Sequence, residues 1–446
     1  MSEWKETEIG LIPKDWEVAE LGKIADVTKL AGFEFTEYIE YIEGGEIIAL
    51  RALNVRNGEL DLNDVKTISK NASDSLVRSK LYKNDILFTY VGANIGQFAL
   101  VDADDKYHLA PNICRIRVSN EFYTYFLFSY FRTETFKKIV NKYVVGSSQP
   151  TLPMKNIRQI TVPYPSKAEQ KQIADILSCL DNKIDNLRRQ NETLEKIAQT
   201  LFKHWFIDFE FPNDDGKPYK SSGGAMVASE LGDIPEGWRV GKLGEVADIT
   251  SSKRIFQSEY QDSGVPFYRS KEIIELSLGQ SISTELYISL EKFNEIKEKF
   301  SIPQEGDILL TSVGTIGISY IVRKNDYFYF KDGNLTWIKN FRNGFNGILI
   351  YFWLKDELTQ QQIKVSTIGS TQKALTIQAL NNLTLIIYNP LVLSKLIPFF
   401  VPIYRKIEQN TNQIQTLTKT RDTLLPKLMS GQIRVKEGES LIEKVK

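Results

Sequence analysis

Through residues 170–205 apolar side chains return at spacings that alternate between four and three: Ile173, Leu177, Leu180, Ile184, Leu187, then Asn191, Leu194, Ala198, Leu201 and Trp205. That alternation is the seam of a heptad repeat, and it predicts a long helix paired with another along one stripe. Off the seam, Asp181, Lys183, Asp185, Arg188, Arg189, Glu192 and Glu195 suit a helix surrounded mostly by water. A second seam follows in Leu396, Phe400, Ile403, Ile407, Asn410, Ile414, Leu417, Arg421, Leu424 and Leu428, and each seam carries a single Asn. Run antiparallel, the two set Asn191 against Asn410, Ile184 against Leu417 and Leu177 against Leu424. Pro398, Pro402 and Pro426 are expected to kink or end the second helix, because each removes an intrahelical hydrogen bond.

The two seams belong to a larger duplication. Residues 7–28, TEIGLIPKDWEVAELGKIADVT, match residues 229–250, SELGDIPEGWRVGKLGEVADIT, at an offset of 222. The match continues at residues 84–87 against 306–309, at Val91-Gly92-Ala93-Asn94-Ile95-Gly96 against Val313-Gly314-Thr315-Ile316-Gly317, and at Gly146-Ser147-Ser148-Gln149 against Gly369-Ser370-Thr371-Gln372. Self-similarity on this scale means two copies of one unit, each a globular part followed by a long helix. Between residues 28 and 84, and between 250 and 306, the copies diverge. A shared frame with dissimilar middles implies one structural task and two recognition tasks.

Within each globular part, short β-rich runs at residues 85–90, 113–118, 307–312 and 327–330 alternate with polar, glycine-bearing loops, and helical patterns close each part at 121–141 and 346–364. The expected class is α/β in the mixed α+β sense: two globular domains joined by two long antiparallel coiled-coil helices, with an internal pseudo-two-fold repeat. The expected division is a globular part over 1–165, a helix over 166–210, an exposed Pro/Gly/Ser-bearing linker over 211–227, a second globular part over 228–389, a helix over 390–431 and a tail over 432–446.

Composition narrows the function more by exclusion than by assignment. At 446 residues and 42% hydrophobic, the chain is long enough for two or three domains with real cores. No apolar run reaches transmembrane length, and Met1-Ser2-Glu3-Trp4-Lys5-Glu6 has no basic-then-apolar pattern, so the expected location is the cytoplasm, with no membrane partner. Cys114 and Cys179 have no CxxC spacing, and His108 and His204 have no metal-ligand spacing, which argues against a disulfide framework, a structural zinc site or histidine catalysis. No GxxxxGK[ST] phosphate loop exists, and Tyr388-Asn389-Pro390-Leu391 lacks the second proline and the aromatic residue of an adenine-methyltransferase motif. No catalytic residue, metal ligand or cofactor site is expected on this chain.

What remains is loop chemistry suited to DNA. Arg51, Asn54 and Arg56 in the first copy, and Arg254, Arg269 and Lys271 in the second, fall in the divergent segments, where they can hydrogen-bond base edges or phosphates; for any one of them taken alone, ordinary surface charge is the better reading. The loops Gly146-Ser147-Ser148-Gln149-Pro150-Thr151 and Gly369-Ser370-Thr371-Gln372-Lys373 are small and polar, with backbone N–H and hydroxyl groups for phosphates and Gln for adenine; a plain helix-to-strand turn is the other reading.

The doubled WxxxxLG segment, the GSSQ and GSTQ loops, and residues 162–173, VPYPSKAEQKQI, leading into a heptad helix together resemble the specificity subunit of type I restriction-modification systems. The resemblance covers essentially the whole chain. It implies a non-catalytic DNA-recognition subunit in which each globular part is a target-recognition domain reading one half of a bipartite, asymmetric double-stranded target. The helices then act as antiparallel spacer and dock two modification subunits, which carry the S-adenosylmethionine chemistry; restriction subunits supply ATP- and Mg-dependent translocation and cleavage. The DNA contacts it implies are the Gly-Ser-Ser/Thr-Gln loops, the turns at Gly92, Ala93 and Asn94 and at Gly314 and Thr315, and the basic residues named above. Where the first copy has Glu169-Gln170 the second has Val392-Leu393, so an identical subunit contact is not implied there. Two other classes stay open: a fused methyltransferase or nuclease, and a coiled-coil scaffold without a DNA role.

Overall fold

A computed structural model of the chain describes residues 3–146, 149–280, 282, 286–369 and 373–435. They form two compact units, Met1–Ile184 with Leu417–Lys446, and Asp185–Thr416. Each long helix gives one stretch to each unit, so unit 2 is one continuous piece of chain and unit 1 is closed by the last part of the second helix.

Unit 1 is built on a four-stranded antiparallel sheet in the order Phe98–Leu100, Ile86–Thr89, Ile113–Arg117, Asp26–Lys29. Ile86-Leu87-Phe88 reads as an unbroken apolar run because both faces of the strand Ile86–Thr89 are covered, and all four of its residues are buried. Beside it a three-stranded sheet pairs Ile47–Leu50 parallel with Tyr107–Leu109 and antiparallel with Lys66–Ile68. Unit 2 repeats the four-stranded sheet in the same order, Ser319–Ile321, Ile308–Thr311, Leu335–Lys339, Asp248–Thr250, and again sets a parallel pair beside it, Val265–Tyr268 with Tyr329–Phe330. The segments on either side of the divergent middles meet in a further ladder, Glu17–Glu20 with Thr161–Tyr164 and Arg239–Lys242 with Thr384–Ile387.

Where each copy's pattern predicts one closing helix the structure has two: Glu121–Phe131 then Glu134–Tyr143, and Gly347–Lys355 then Glu357–Val365. The break is a capping residue. The Thr133 hydroxyl accepts from the Phe136 N–H, and the Asp356 carboxylate from the Leu358 N–H, each starting a new helix.

The first long helix runs Lys167–Phe202 and ends in one wide turn, Lys203–Ile207; the second runs Pro390–Met429 without interruption. Pro398, Pro402 and Pro426 do not end it. All three lie on the exposed side of the helix, where water can satisfy the carbonyls they leave unpaired. In unit 1, Leu177, Leu180, Ile184, Leu417 and Leu424 are buried; in unit 2, Leu187, Ile407, Asn410 and Ile414 are buried, with Leu194 and Ile403 half-buried. The Asn410 amide donates to Asn191 Oδ1 at 2.9 Å, and the Asn191 amide donates to the Thr411 hydroxyl at 3.2 Å. Arg421 donates to Asp181 at 2.9 Å, which sets the antiparallel register in unit 1 to within one residue of the one Asn191 and Asn410 set in unit 2.

The segment after each long helix folds back on the tryptophan of a WxxxxLG segment. In unit 1 Arg434 pairs with Asp15 and Glu169, and the Glu169 carboxylate accepts from Trp16 Nε1 at 2.8 Å. Gln170 is fully buried and its amide donates to the Pro165 carbonyl, so the Glu-Gln pair acts inside its own unit. In unit 2 Phe211 stacks on Trp238 with ring centroids 4.9 Å apart, and on Tyr219 at 4.6 Å. Most of residues 211–227 are exposed, but Phe211 is buried in the unit 2 core and the segment carries internal bonds such as Tyr219 Oη to the Ala225 carbonyl. The aromatic ring at position 211, among Pro, Gly and Ser, is what fixes it.

Candidate nucleic-acid interface

In both units three loops distant in sequence are tied together by backbone hydrogen bonds. In unit 1 Gly92 donates to the Pro150 carbonyl at 3.0 Å, Leu152 donates to Tyr90 at 2.8 Å, and Val145 and Thr151 exchange both their bonds. In unit 2 Leu375 donates to Ser312 at 2.8 Å, and Ile368 and Ala374 exchange theirs. The residues flanking the Gly-Ser-Ser/Thr-Gln segment of each copy are thus tied to the strand that leads into the glycine turn. Gly92 and Gly314 sit at φ +97° and +78°, in the left-handed region that glycine tolerates, with nothing within 4 Å of where a Cβ would stand. A third loop is carried in by an asparagine carbonyl: Tyr90 donates to Asn112 at 3.0 Å, and Ser312 donates to Asn334 at 2.9 Å.

In unit 1 these pieces enclose a cleft of about 400 Å³ lined by Tyr41, Arg51, Gly92, Ala93, Asn94 and Asn112. Ala93 and Asn94 are exposed at its rim. Burial raises the Tyr41 phenol, with the Arg51 guanidinium pulling it back, so at neutral pH the hydroxyl is a protonated donor beside a cation. In unit 2 a cleft of about 360 Å³ lies against Gly314 and is lined by Gln360, Gln361, Lys364, Thr367 and Lys373. Thr315, Lys364 and Lys373 are exposed there, as Gln149 is in unit 1, and the Thr151 hydroxyl turns back to the Gln149 carbonyl. Ser147, Ser148, Ser370, Thr371 and Gln372 lie outside the described residues.

The basic candidates separate on burial and partners. Arg51 closes the strand Ile47–Leu50 and its Nη2 is held by Asp64, 2.9 Å from the carbonyl and 3.2 Å from the carboxylate. Arg269 closes Val265–Tyr268 and lies side-on against the carboxylate of buried Glu272. Arg56 is exposed on a two-residue strand, Arg254 is exposed and paired with Asp332 at 2.7 Å, and Lys271 pairs with Glu275 at 3.7 Å along its helix. Asn54 is a correction. It is fully buried, its Oδ1 accepts from the Arg51 N–H, and its amide donates to the carbonyls of Asp61 and Asp64, so it braces the loop from within.

Tyr41, Asn112, Gln361 and Lys364 were not singled out by sequence. Asn112 had a local signal, since Ala-Pro-Asn marks a turn and the residue sits at φ +74°. Gln361 and Lys364 are ordinary exposed helix residues until the fold sets their helix beside the glycine turn.

Residues 13–196 and 235–390 match the family described as the type I restriction modification DNA specificity domain. The MjaIX specificity subunit of a type I restriction enzyme from Methanocaldococcus jannaschii is 30% identical over 445 residues, covering 98% of each chain. The HindI specificity subunit from Haemophilus influenzae is 24% identical, covering 97% of this chain and 100% of its own. In fold, the crystal structure of a type I restriction-modification system S subunit from M. genitalium superposes with a TM-score of 0.55 at 15% identity, over 93% of this chain and 96% of that one. Two copies of the family's domain, and a relative matched from end to end, make this chain a member of the DNA specificity subunits of type I restriction-modification systems.

Proposed function

We propose that the two units read the two halves of one discontinuous, asymmetric double-stranded DNA target, each through the loops gathered at its glycine turn. The observation that carries this is the recurrence of the three-loop assembly on the same sheet in both units, with a different cleft open beside each glycine turn: against the Asn112 loop in unit 1 and against the helix Glu357–Val365 in unit 2. A repeated scaffold with unlike linings suits two different short sequences better than a palindrome. The paired helices space the units and dock two modification subunits, which hold S-adenosylmethionine; restriction subunits with ATP and Mg complete the assembly. The chain itself selects the site and does no chemistry, and it works in the cytoplasm.

The test is reconstitution. Modification subunits of the same system, incubated with this chain, should methylate adenine at a single bipartite sequence, and neither component alone should do so. Methylation or cleavage by the purified chain alone would overturn the assignment, as would methylation with no sequence preference when both are present.

A further inference from the structure

The strands Ile47–Leu50 and Val265–Tyr268 lie in the divergent middles, and a fixed repeat offset does not align them, yet the fold makes them equivalent. Each pairs parallel with the second strand after the glycine turn, Tyr107–Leu109 or Tyr329–Phe330. Each ends on an arginine whose backbone N–H is capped from three residues on: Arg51 by Asn54 Oδ1 at 3.0 Å, Arg269 by Glu272 Oε2 at 2.8 Å. Both stand beside the same asparagine. Asn112 lines the cleft with Arg51, and Ser270, next to Arg269, donates to the Asn334 carbonyl that also receives the Ser312 N–H.

Both guanidinium groups are held by a carboxylate of their own unit. Arg51 gives Nη2 to Asp64, and its Nε is buried with no hydrogen-bond partner. Arg269 gives Nη2 to Glu272 Oε1 at 2.8 Å, with Nε 3.4 Å from Oε2. An arginine that only attracts phosphate needs no such brace, since a flexible cation serves as well. Fixing the plane of the fork matters where two parallel donors must meet two acceptors on one base edge, as with O6 and N7 of guanine in the major groove.

We propose that Arg51 and Arg269 are the equivalent specificity-determining residues of the two units, each reading one guanine, so that each half of the target contains a G·C pair fixed by a braced arginine. This rests on the two-half reading above. The experiment uses the full chain reconstituted with the modification subunits of its own system, with methylated adenines mapped for wild type, Arg51→Lys, Arg51→Ala, Arg269→Lys and Arg269→Ala, and melting temperature as the folding control.

Wild type must yield a bipartite motif; if it does not, the two-half reading fails and the arginine assignment falls with it. If it does, Arg51→Ala should relax one G·C position in one half only, by on the order of tenfold to a hundredfold in discrimination, and Arg269→Ala one position in the other half. The Lys variants keep the charge but lose the fork, and should relax the same positions. A uniform fall in methylation at every site with the motif unchanged, accompanied by a salt dependence weaker by about one phosphate contact, would assign the arginines to the backbone and overturn the proposal. So would relaxation of both positions in the same half. If an Ala variant melts at a much lower temperature, the Lys variant at that position decides.

Discussion

Trp16 and Trp238 occupy the same place in the repeat, and the two units close over them with opposite chemistry. The Trp16 indole donates to Glu169, which Arg434 neutralises; Trp238 is packed among Phe209, Phe211 and Tyr388. Arg434 and Phe211 fall at matching points of the repeat, each just past a long helix. Val392, which stands where Glu169 would, offers no acceptor, so closing unit 2 by packing also accounts for the missing Glu-Gln pair. Duplication has kept the joint and let its contents drift.

The largest effect expected from this comparison is modular. Replacing residues 28–149 with the corresponding stretch of a relative of different specificity should exchange one whole half of the methylated motif and leave the other untouched. Motif mapping checks it, and change in both halves would show that the units are not independent readers.

Next come the two joints. Phe211→Ala should cost unit 2 about 4 kcal/mol through the cavity it leaves against Trp238, whereas Glu169→Gln should cost unit 1 only about 1 kcal/mol, because the amide still accepts from Trp16 and only the charge is lost. Hydrogen exchange resolved by unit reads both; equal losses would erase the contrast.

Asp181, in unit 1, is half-buried between Arg132, Arg421 and the Tyr125 hydroxyl. Burial alone would raise its carboxyl, but the two guanidinium groups and the hydroxyl outweigh it and hold the carboxyl below the ordinary range. Its stabilisation is therefore complete above the unfolded value of about 4 and lost as pH falls through the lower folded value. Asp181→Ala should cost about 3 kcal/mol at pH 7, and the gap from wild type should close at pH values below about 4. A gap independent of pH would mean that the cost is packing.

Changing Asn191 and Asn410 together to Leu should raise the stability of unit 2 by about 2 kcal/mol, since Asn410 Oδ1 is buried without a partner, while loosening the register the pair enforces. Thermal melts test the first part, and cysteine cross-linking across the seam the second.

Smallest is the contrast between Asp85 and Asp307, which share a repeat position. Asp85 is gripped by Arg117 at 2.6 and 2.7 Å; Asp307 instead accepts from Trp337 Nε1 at 2.8 Å, and burial raises its carboxyl. For Asp307 the sign is reversed: stability falls as pH rises from about 4 through the raised folded value. Asp307→Asn should gain on wild type by about 0.5 kcal/mol across that window, and a variant that loses ground on raising the pH would refute the assignment.

Much of the frame could be read from the sequence, for definite reasons. A seam of period 3.5 admits one pairing geometry, and one Asn on each helix selects the register, so the facing pair was foreseeable. The burial of Phe211 was not foreseen, because glycine, proline and serine dominate its segment and the tryptophan it stacks on is distant in sequence. The helix breaks at Thr133 and Asp356 were legible as caps, but helix-compatible residues on both sides let one pattern run through them. The correspondence of Arg51 with Arg269 was not legible, because it rests on strand pairing across segments of unequal length. Nor was the internal role of Asn54, which depends on two carbonyls delivered by a loop that no local pattern announces.

The nesting of the units has a consequence for synthesis. Unit 2 is one uninterrupted stretch, whereas unit 1 begins with the first residues and needs Leu417 onward to finish. A ribosome emits the chain from its N-terminus, so the first recognition domain emerges early, yet Leu177, Leu180 and Ile184 must wait, uncovered, while the whole of unit 2 is made. Chains that terminate before Leu417 therefore carry a complete second reader and an unfinished first one with a bare apolar stripe, and they are the species expected to need chaperones or to associate with one another.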